Sequence, residues 1–206
     1  MKIAIIGSGN VGGALAQSLI KAGHTVIVGI RFPASRKSVE LMAKIGEDRF
    51  TDWKSAVKQC ETVIVTTPPD SIIDLLDGIK RLNLSDKIFI DASNSITKKP
   101  EGFATAYHAI KAAGIDHVAK CFNTTGFENM LNPVYQDSAA DMFCAGNSER
   151  AKKTAMKLSS DIGFGKCYDF GGDDKAELLE QLAFCWINLA IMQKEGRHIA
   201  FKILRK

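Results

Sequence analysis

No CxxC pair, no HExxH and no close cluster of His, Cys, Asp and Glu occurs in this chain, so the sequence offers no recognisable metal site. The four histidines (His24, His108, His117, His198) are dispersed, and no Ser, His and Asp stand in an order that would build a nucleophilic triad. Catalytic side chains are therefore not assigned. Five cysteines (Cys60, Cys121, Cys144, Cys167, Cys185) form an odd, widely spaced set among apolar neighbours, which reads as buried reduced thiols. No apolar run approaches the roughly 20 residues that span a bilayer. Met1-Lys2 leads straight into Ile3-Ala4-Ile5-Ile6, with no signal peptide read ahead of it, so the expected location is the cytoplasm. The net charge is only +4, and the basic residues are scattered apart from Lys202, Arg205 and Lys206. That excludes a nucleic-acid footprint and leaves a weak field favouring an anionic ligand.

What is present is an ordinary globular balance, 46% hydrophobic and 24% charged over 206 residues, enough for one α/β domain with a modest appendage. Short apolar runs read as strands at Lys2–Ile6, Thr25–Ile30, Thr62–Thr67, Lys87–Asp91, His117–Phe122, Asp141–Ala145 and Lys166–Phe170. Several are nearly continuous in Val, Ile and Phe, as strands covered on both faces are. Between them, Val11, Leu15 and Leu19 recur at helical spacing with Gly23 as a stop. Ile72, Ile73, Leu75, Leu76 and Ile79 make a second apolar face, and Ser148 caps a helix carrying Ala151, Ala155, Leu158 and Ile162. A last apolar helix runs from about Asp174 to Gln193, followed by Gly196 and a short helix to the terminus. Strand–helix alternation predicts a doubly wound, mostly parallel α/β sheet. Residues 1–132 read as the nucleotide-binding unit, and residues 133–206 as a small, largely helical C-terminal subdomain packed on it.

Gly7-Ser8-Gly9-Asn10-Val11-Gly12 is a GxGxxG placed directly after a strand and directly before a helix. Gly7 serves the tight turn, Gly9 the close approach of a pyrophosphate and Gly12 the packing of helix on strand. The helix start then offers free N–H groups and a positive dipole end to the anion. With a second strand arriving in order, the arrangement is the Rossmann dinucleotide site.

An NAD site of this kind ends its second strand with Asp or Glu, about 20 residues past the motif, to hold the ribose 2′-hydroxyl. Here the strand ends Val28-Gly29-Ile30-Arg31, with Ser35 and Arg36 following in the loop. Guanidinium in place of carboxylate suits a 2′-phosphate, so the expected cofactor is NADP(H).

Thr66-Thr67-Pro68-Pro69 and Asp91-Ala92-Ser93-Asn94 close the third and fourth long strands at the sheet's carboxyl edge, where open α/β sheets bind ligands. Threonine and asparagine there offer hydrogen bonds to a ribose or a carboxamide. Phe122-Asn123-Thr124-Thr125-Gly126-Phe127 is a polar loop with an aromatic on each side, able to line a planar ring. Lys120 is either a catalytic lysine or a snorkelling strand residue. Hydride transfer between two planar cofactors needs little acid–base help, so the missing catalytic groups fit a cofactor-to-cofactor reductase better than a carbonyl dehydrogenase.

The chain resembles the F420-dependent NADP oxidoreductase family, whose nucleotide-binding unit is shared with STEAP reductase domains. The likeness covers nearly the whole chain: GSGNVGGALAQSLIKAGHTVIVGIR, VIVTTPP, DASNS, KCFNTTGFENMLNP and the closing LLEQLAFCWINLAIMQKEGRHIAFKILR. It implies NADPH bound by a compact Rossmann domain, often dimeric, with the nicotinamide facing a pocket for F420 or a flavin such as FMN or FAD. It gives Ser8, Gly9, Asn10 and Val11 to the pyrophosphate, and Arg31, Ser35 and Arg36 to the 2′-phosphate. Thr67, Pro68, Asn94 and Asn123 would lie near the nicotinamide. One departure is Ile30, where the family commonly has serine.

Two other functions share the glycine loop. A small-substrate dehydrogenase or imine reductase generally needs a long helical C-terminal domain, and only about 70 residues follow Pro133. A non-catalytic NADP(H) sensor would keep the phosphate site without a pocket beside the nicotinamide. The last helix carries too many apolar positions for one face, so it should be buried nearly all round, within the subdomain or in a homodimer interface.

Overall fold

The computed structural model describes all of residues 1–206. The first half alternates strictly: β1 (Lys2–Ile6), α1 (Asn10–Lys21), β2 (Thr25–Ile30), α2 (Arg36–Ile45), β3 (Phe50–Asp52), α3 (Trp53–Gln59), β4 (Thr62–Val65) and α4 (Ile72–Ile79). Then follow β5 (Ile88–Asp91), α5 (Ala106–Ala112), β6 (Val118–Cys121), α6 (Phe127–Leu131) and a two-strand hairpin, β7 (Val134–Tyr135) and β8 (Ser138–Ala139). The chain closes with β9 (Met142–Ala145), α7 (Glu149–Asp161), β10 (Cys167–Asp169) and α8 (Ala176–Ile187).

Eight strands form one sheet in the order β10-β9-β6-β5-β4-β1-β2-β3, parallel except where β9 meets β6. The doubly wound α/β fold read from the sequence is present. The segment beyond Pro133 extends this sheet by β9 and β10.

Alternation along the strands makes two cores. Ile3 and Ile5 face one layer with Leu15, Leu19, Ile90 and Leu158, whereas Ala4 and Ile6 face the other with Val65, Ile72, Phe89 and Tyr107. Each fully buried Leu or Ile contributes about 1.5–3 kcal/mol, so both faces of β1 are held. The chain leaves β1 for β2 on one side and returns to β4 on the other. That reversal opens a crevice at the carboxyl ends of β1, β2 and β4.

Three expectations need correction. Residues 194–206 form no helix. Ile199 O accepts from Asn129 Nδ2 and Trp186 Nε1, Asp141 N donates to Phe201 O, and Ile203 N donates to Asp141 Oδ2. These side-chain and strand-edge partners take the backbone groups that a helix would pair within itself. Nor is α8 buried all round within the chain. Ala176, Leu179, Glu180, Ala183 and Trp186 face inward, while Leu178 and Phe184 are exposed, as are Leu189 and Ile191 in the wider π-helical turn Asn188–Met192. Lastly, the five thiols are all free, but only Cys60, Cys121 and Cys144 are buried; Cys185 lies on the open side of α8.

Candidate functional site

Gly7 leaves β1 with φ +116°, a conformation that side chains rarely adopt. Its N–H donates to Gly29 O at 3.0 Å, and Thr66 Oγ1 donates to Ile6 O at 2.9 Å, tying the turn to β2 and β4. Gly12 is a packing residue: a Cβ there would fall 2.1 Å from Gly7 O. Gly9 differs, because a Cβ there would meet nothing within 4 Å. It caps α1 without a side-chain hydrogen bond, and the first turn, which holds Asn10, Val11 and Gly12, carries no acidic residue. The helix start thus presents uncapped N–H groups beside a cradle with free space, the requirements for a pyrophosphate.

Beside it lies a cleft of about 640 Å³ whose lining includes Gly7, Ser8, Arg31, Ser35, Thr67 and Pro68. Six of the site residues read from the sequence thus meet here. Ser35 also caps α2, its side chain accepting from Ser38 N, and buried Ser38 bonds both the Ser8 and Ser35 hydroxyls at 2.8 Å. Arg36 stands apart: its side chain is 91% exposed, pairs with Glu40 at 2.7 Å and is not part of the cleft wall. In its place α3 brings in Trp53 and Lys54, and α4 brings in Asp74 and Asp77. Arg31 Nη1 reaches Asp74 Oδ2 at 3.1 Å. None of these four residues stood out in the sequence. The only signal for α3 was Asp52, a capping residue followed by a short apolar stripe.

On the other side of β4, the carboxyl edge is built from amides and hydroxyls. Thr66 is used up holding the glycine turn, but Thr67 Oγ1 is buried without a partner. Asn94 Nδ2 donates to Asn123 O, while Asn123 Nδ2 donates to Asn94 Oδ1 and to Leu179 O, each at 3.1 Å. Asn123 Oδ1 is left buried and unpartnered. Phe122 sits at φ +66°, an uncommon turn for an aromatic that swings Asn123 off the end of β6. Its ring is wholly buried in the core, so it does not line a pocket; Phe127 is half-buried under the Arg197 guanidinium.

Behind these amides the core holds a charged knot. Lys120, paired with Asp91 in the β5–β6 register, is completely buried. Its Nζ lies 2.9 Å from Asp91 Oδ2, 2.7 Å from Glu180 Oε1 and 2.5 Å from Ser93 O. Burial disfavours the ammonium, but Asp91 and Glu180 outweigh it and hold the Lys120 pKa above the ordinary lysine value. Burial also pushes the Glu180 carboxyl up, against the pull of Lys120. Glu180 Oε2 accepts from Ser95 N at 2.8 Å, so α8 is bound to the loop that carries Asn94. A lysine with three acceptors and no access to solvent does no acid–base chemistry on a ligand. It is a structural lysine.

A cleft at the topological switch point, an open glycine cradle and an arginine in place of the acid now stand together. Residues 2–95 match the family model described as NADP oxidoreductase, coenzyme F420-dependent. Across those residues this chain is similar to the F420-dependent NADP oxidoreductases. The likeness continues beyond them: the F420-dependent NADP reductase of Methanocaldococcus jannaschii is 26% identical over 94% of this chain and 94% of its own. The mitochondrial 3-hydroxyisobutyrate dehydrogenase of Drosophila melanogaster is 30% identical, over 54% of this chain and 33% of its own. Among solved structures, one from Arthrobacter sp. FB24, provisionally named an F420-dependent NADP reductase, superposes with a TM-score of 0.84 over the whole of both chains at 24% identity. An imine reductase of Streptomyces aurantiacus shares the fold, with a TM-score of 0.65 at 16% identity over 94% of this chain and 62% of its own.

No group of three or more His, Cys, Asp or Glu is placed to hold a metal ion. No helix is long and apolar enough to cross a membrane.

Proposed function

We propose that this chain is an NADPH-dependent oxidoreductase that passes hydride between NADP(H) and a planar redox acceptor, F420 or a flavin. The observation that carries the reading is the make-up of the carboxyl edge. Its polar side chains there are neutral (Thr67, Asn94, Asn123), and the charges of Lys120, Asp91 and Glu180 behind them are sealed in the core. Such an edge can hold and orient a ring but has no proton to give a carbonyl or an imine.

The residues fit NADP(H). Gly7, Ser8, Gly9 and the first turn of α1 bind the pyrophosphate, while Arg31 and Ser35 receive the 2′-phosphate end. Thr67 Oγ1 and Asn123 Oδ1, both buried and unpaired, are the donor and the acceptor that this edge would offer a carboxamide. When bound, NADPH supplies a hydride from its nicotinamide. The Asn94–Asn123 pair, tied to Leu179 O and backed by the Lys120 knot, keeps the amides from turning and so fixes the ring's orientation.

The likeness to the reductase covers 94% of both chains and favours this reading, since the dehydrogenase matches only 54% of this chain and this chain spans only 62% of the imine reductase. The functional test is anaerobic mixing with NADPH and, separately, F420, FMN, FAD, an imine or a 3-hydroxy acid with NADP+. Turnover is expected with the planar acceptors only; turnover with the imine or the hydroxy acid alone would overturn the reading.

The 2′-phosphate assignment is tested by Arg31→Glu. It should weaken NADPH binding by more than about tenfold, since a charge-assisted contact becomes a repulsive one, and hurt NADH far less. Equal losses for the two cofactors would refute it.

We also infer a homodimer formed through α8 and the turn after it, where Leu178, Phe184, Leu189, Ile191 and Met192 are exposed. Sedimentation at low concentration should give twice the chain mass of 22.4 kDa, and a monomer at micromolar concentration would contradict it.

A further inference from the structure

The acid missing from the end of β2 reappears across the cleft. Asp74, in the first turn of α4, reaches the Arg31 guanidinium at 3.1 Å, and both side chains are mostly exposed, at 68% and 60%. The other charges on the cleft wall are differently placed. Asp77 is neutralised by Lys80 at 3.0 Å, and Lys54 makes no ion pair, its ammonium lying over the Trp53 ring. Of the two cations in the cleft, one is therefore free and one is held by a carboxylate.

We propose that Asp74 is a specificity-determining residue that lowers the chain's preference for NADP(H) over NAD(H), with Lys54 acting in the opposite direction. A 2′-phosphate arriving at Arg31 must displace Asp74 or accept a carboxylate beside it, and like charges at that range oppose binding. A ribose 2′-hydroxyl meets the reverse situation, because Asp74 is an acceptor for its proton and Arg31 need not be released. Lys54 adds a second cation for the phosphate and nothing for the hydroxyl. The sequence placed Arg36 in that role, but Arg36 is turned to solvent on Glu40. The inference rests on the cleft being the adenosine end of the dinucleotide site.

The fragments 2′,5′-ADP and 5′-AMP test it on the full chain by calorimetric titration, without any turnover. The wild type should bind 2′,5′-ADP more tightly than 5′-AMP. Asp74→Ala should widen that gap by about fivefold, the scale of one exposed charge contact, through tighter 2′,5′-ADP and unchanged or weaker 5′-AMP. Lys54→Ala should narrow it, and Asp77→Ala should leave it unchanged. All three side chains line an open cleft, so thermal midpoints near the wild type are expected to accompany these shifts. A gap that moves less than about twofold in Asp74→Ala, or that widens equally in Asp77→Ala, would overturn the role of Asp74 while leaving the NADP reading intact. A wild type that does not prefer 2′,5′-ADP would overturn the NADP reading itself, and the role of Asp74 with it.

Discussion

Lys120→Met is expected to destabilise the fold by about 3–5 kcal/mol, because it leaves two carboxylates in the core without their cation. Asp91 Oδ1 keeps its bonds from the Ser93 N–H and hydroxyl, and Glu180 Oε2 keeps Ser95 N, but the oxygens that faced Nζ lose their partner. For a chain of this size the melting midpoint should fall by about 10 °C or more. The loss should also depend on pH. The Glu180 carboxyl is already raised by burial, and removing Lys120 raises it further. A carboxyl whose folded pKa exceeds its unfolded value binds protons more strongly in the folded state, so stability is gained as pH falls toward the unfolded pKa. The variant should therefore lie furthest below the wild type near pH 8 and recover part of the deficit near pH 5. Adding Glu180→Leu to Lys120→Met should restore part of the stability at neutral pH, since it removes one of the two unpaired charges. Wild-type melting of Lys120→Met across that range would mean that the knot contributes nothing.

Gly9→Val is the second large effect, and it should fall on binding rather than folding. A Cβ at Gly9 meets no atom of the chain, and the residue's φ of −67° and ψ of −174° suit valine. Stability should change by no more than about 1 kcal/mol, the cost of a poorer helix cap. The space that the valine fills is the one through which a pyrophosphate would approach the start of α1. Dinucleotide affinity should fall by about 100-fold or more, read by fluorescence titration with NADPH. Gly12 gives the contrast: its Cβ would strike Gly7 O, so Gly12→Ala should damage the fold itself. Retained NADPH affinity in Gly9→Val would make the loop a purely structural turn.

How much of this was readable before the structure varies with the kind of interaction. The β1–α1–β2 unit declares itself because its glycine spacing, continuous apolar strands and helical stripe all agree on one local answer. The short helices α2 and α3 were missed, because RKSVELMAKI has as many polar as apolar residues and WKSAVKQ spans only two turns. That omission hid Lys54 and Trp53, which belong to the cleft only after α3 has packed against β2. Asp74 lay inside a segment read as helix, yet nothing local says that its carboxylate meets Arg31, 43 residues earlier. Lys120 carried a signal in plain view, a charged residue in the apolar strand Val118-Ala119-Lys120-Cys121. Its partners come from β5 and α8, so only the register and the docking of α8 reveal it as a core ion rather than a catalytic base. The C-terminal tail failed for the same reason: its apolar residues suit a helix, but Asp141, Asn129 and Trp186 offer its backbone better partners.

Under the proposed function, the dinucleotide held by the glycine loop gives its hydride directly to a second planar ring. The most direct measurement is anaerobic stopped-flow mixing of the chain, loaded with NADPH carrying deuterium at the transferring position of its nicotinamide, with F420, FMN or FAD. The predicted result is single-turnover oxidation with a primary isotope effect on at least one of them, and deuterium recovered on reduced F420 where F420 is the acceptor. Tight NADPH binding with no oxidation by any of the three would contradict it and leave a nucleotide-binding protein without this activity.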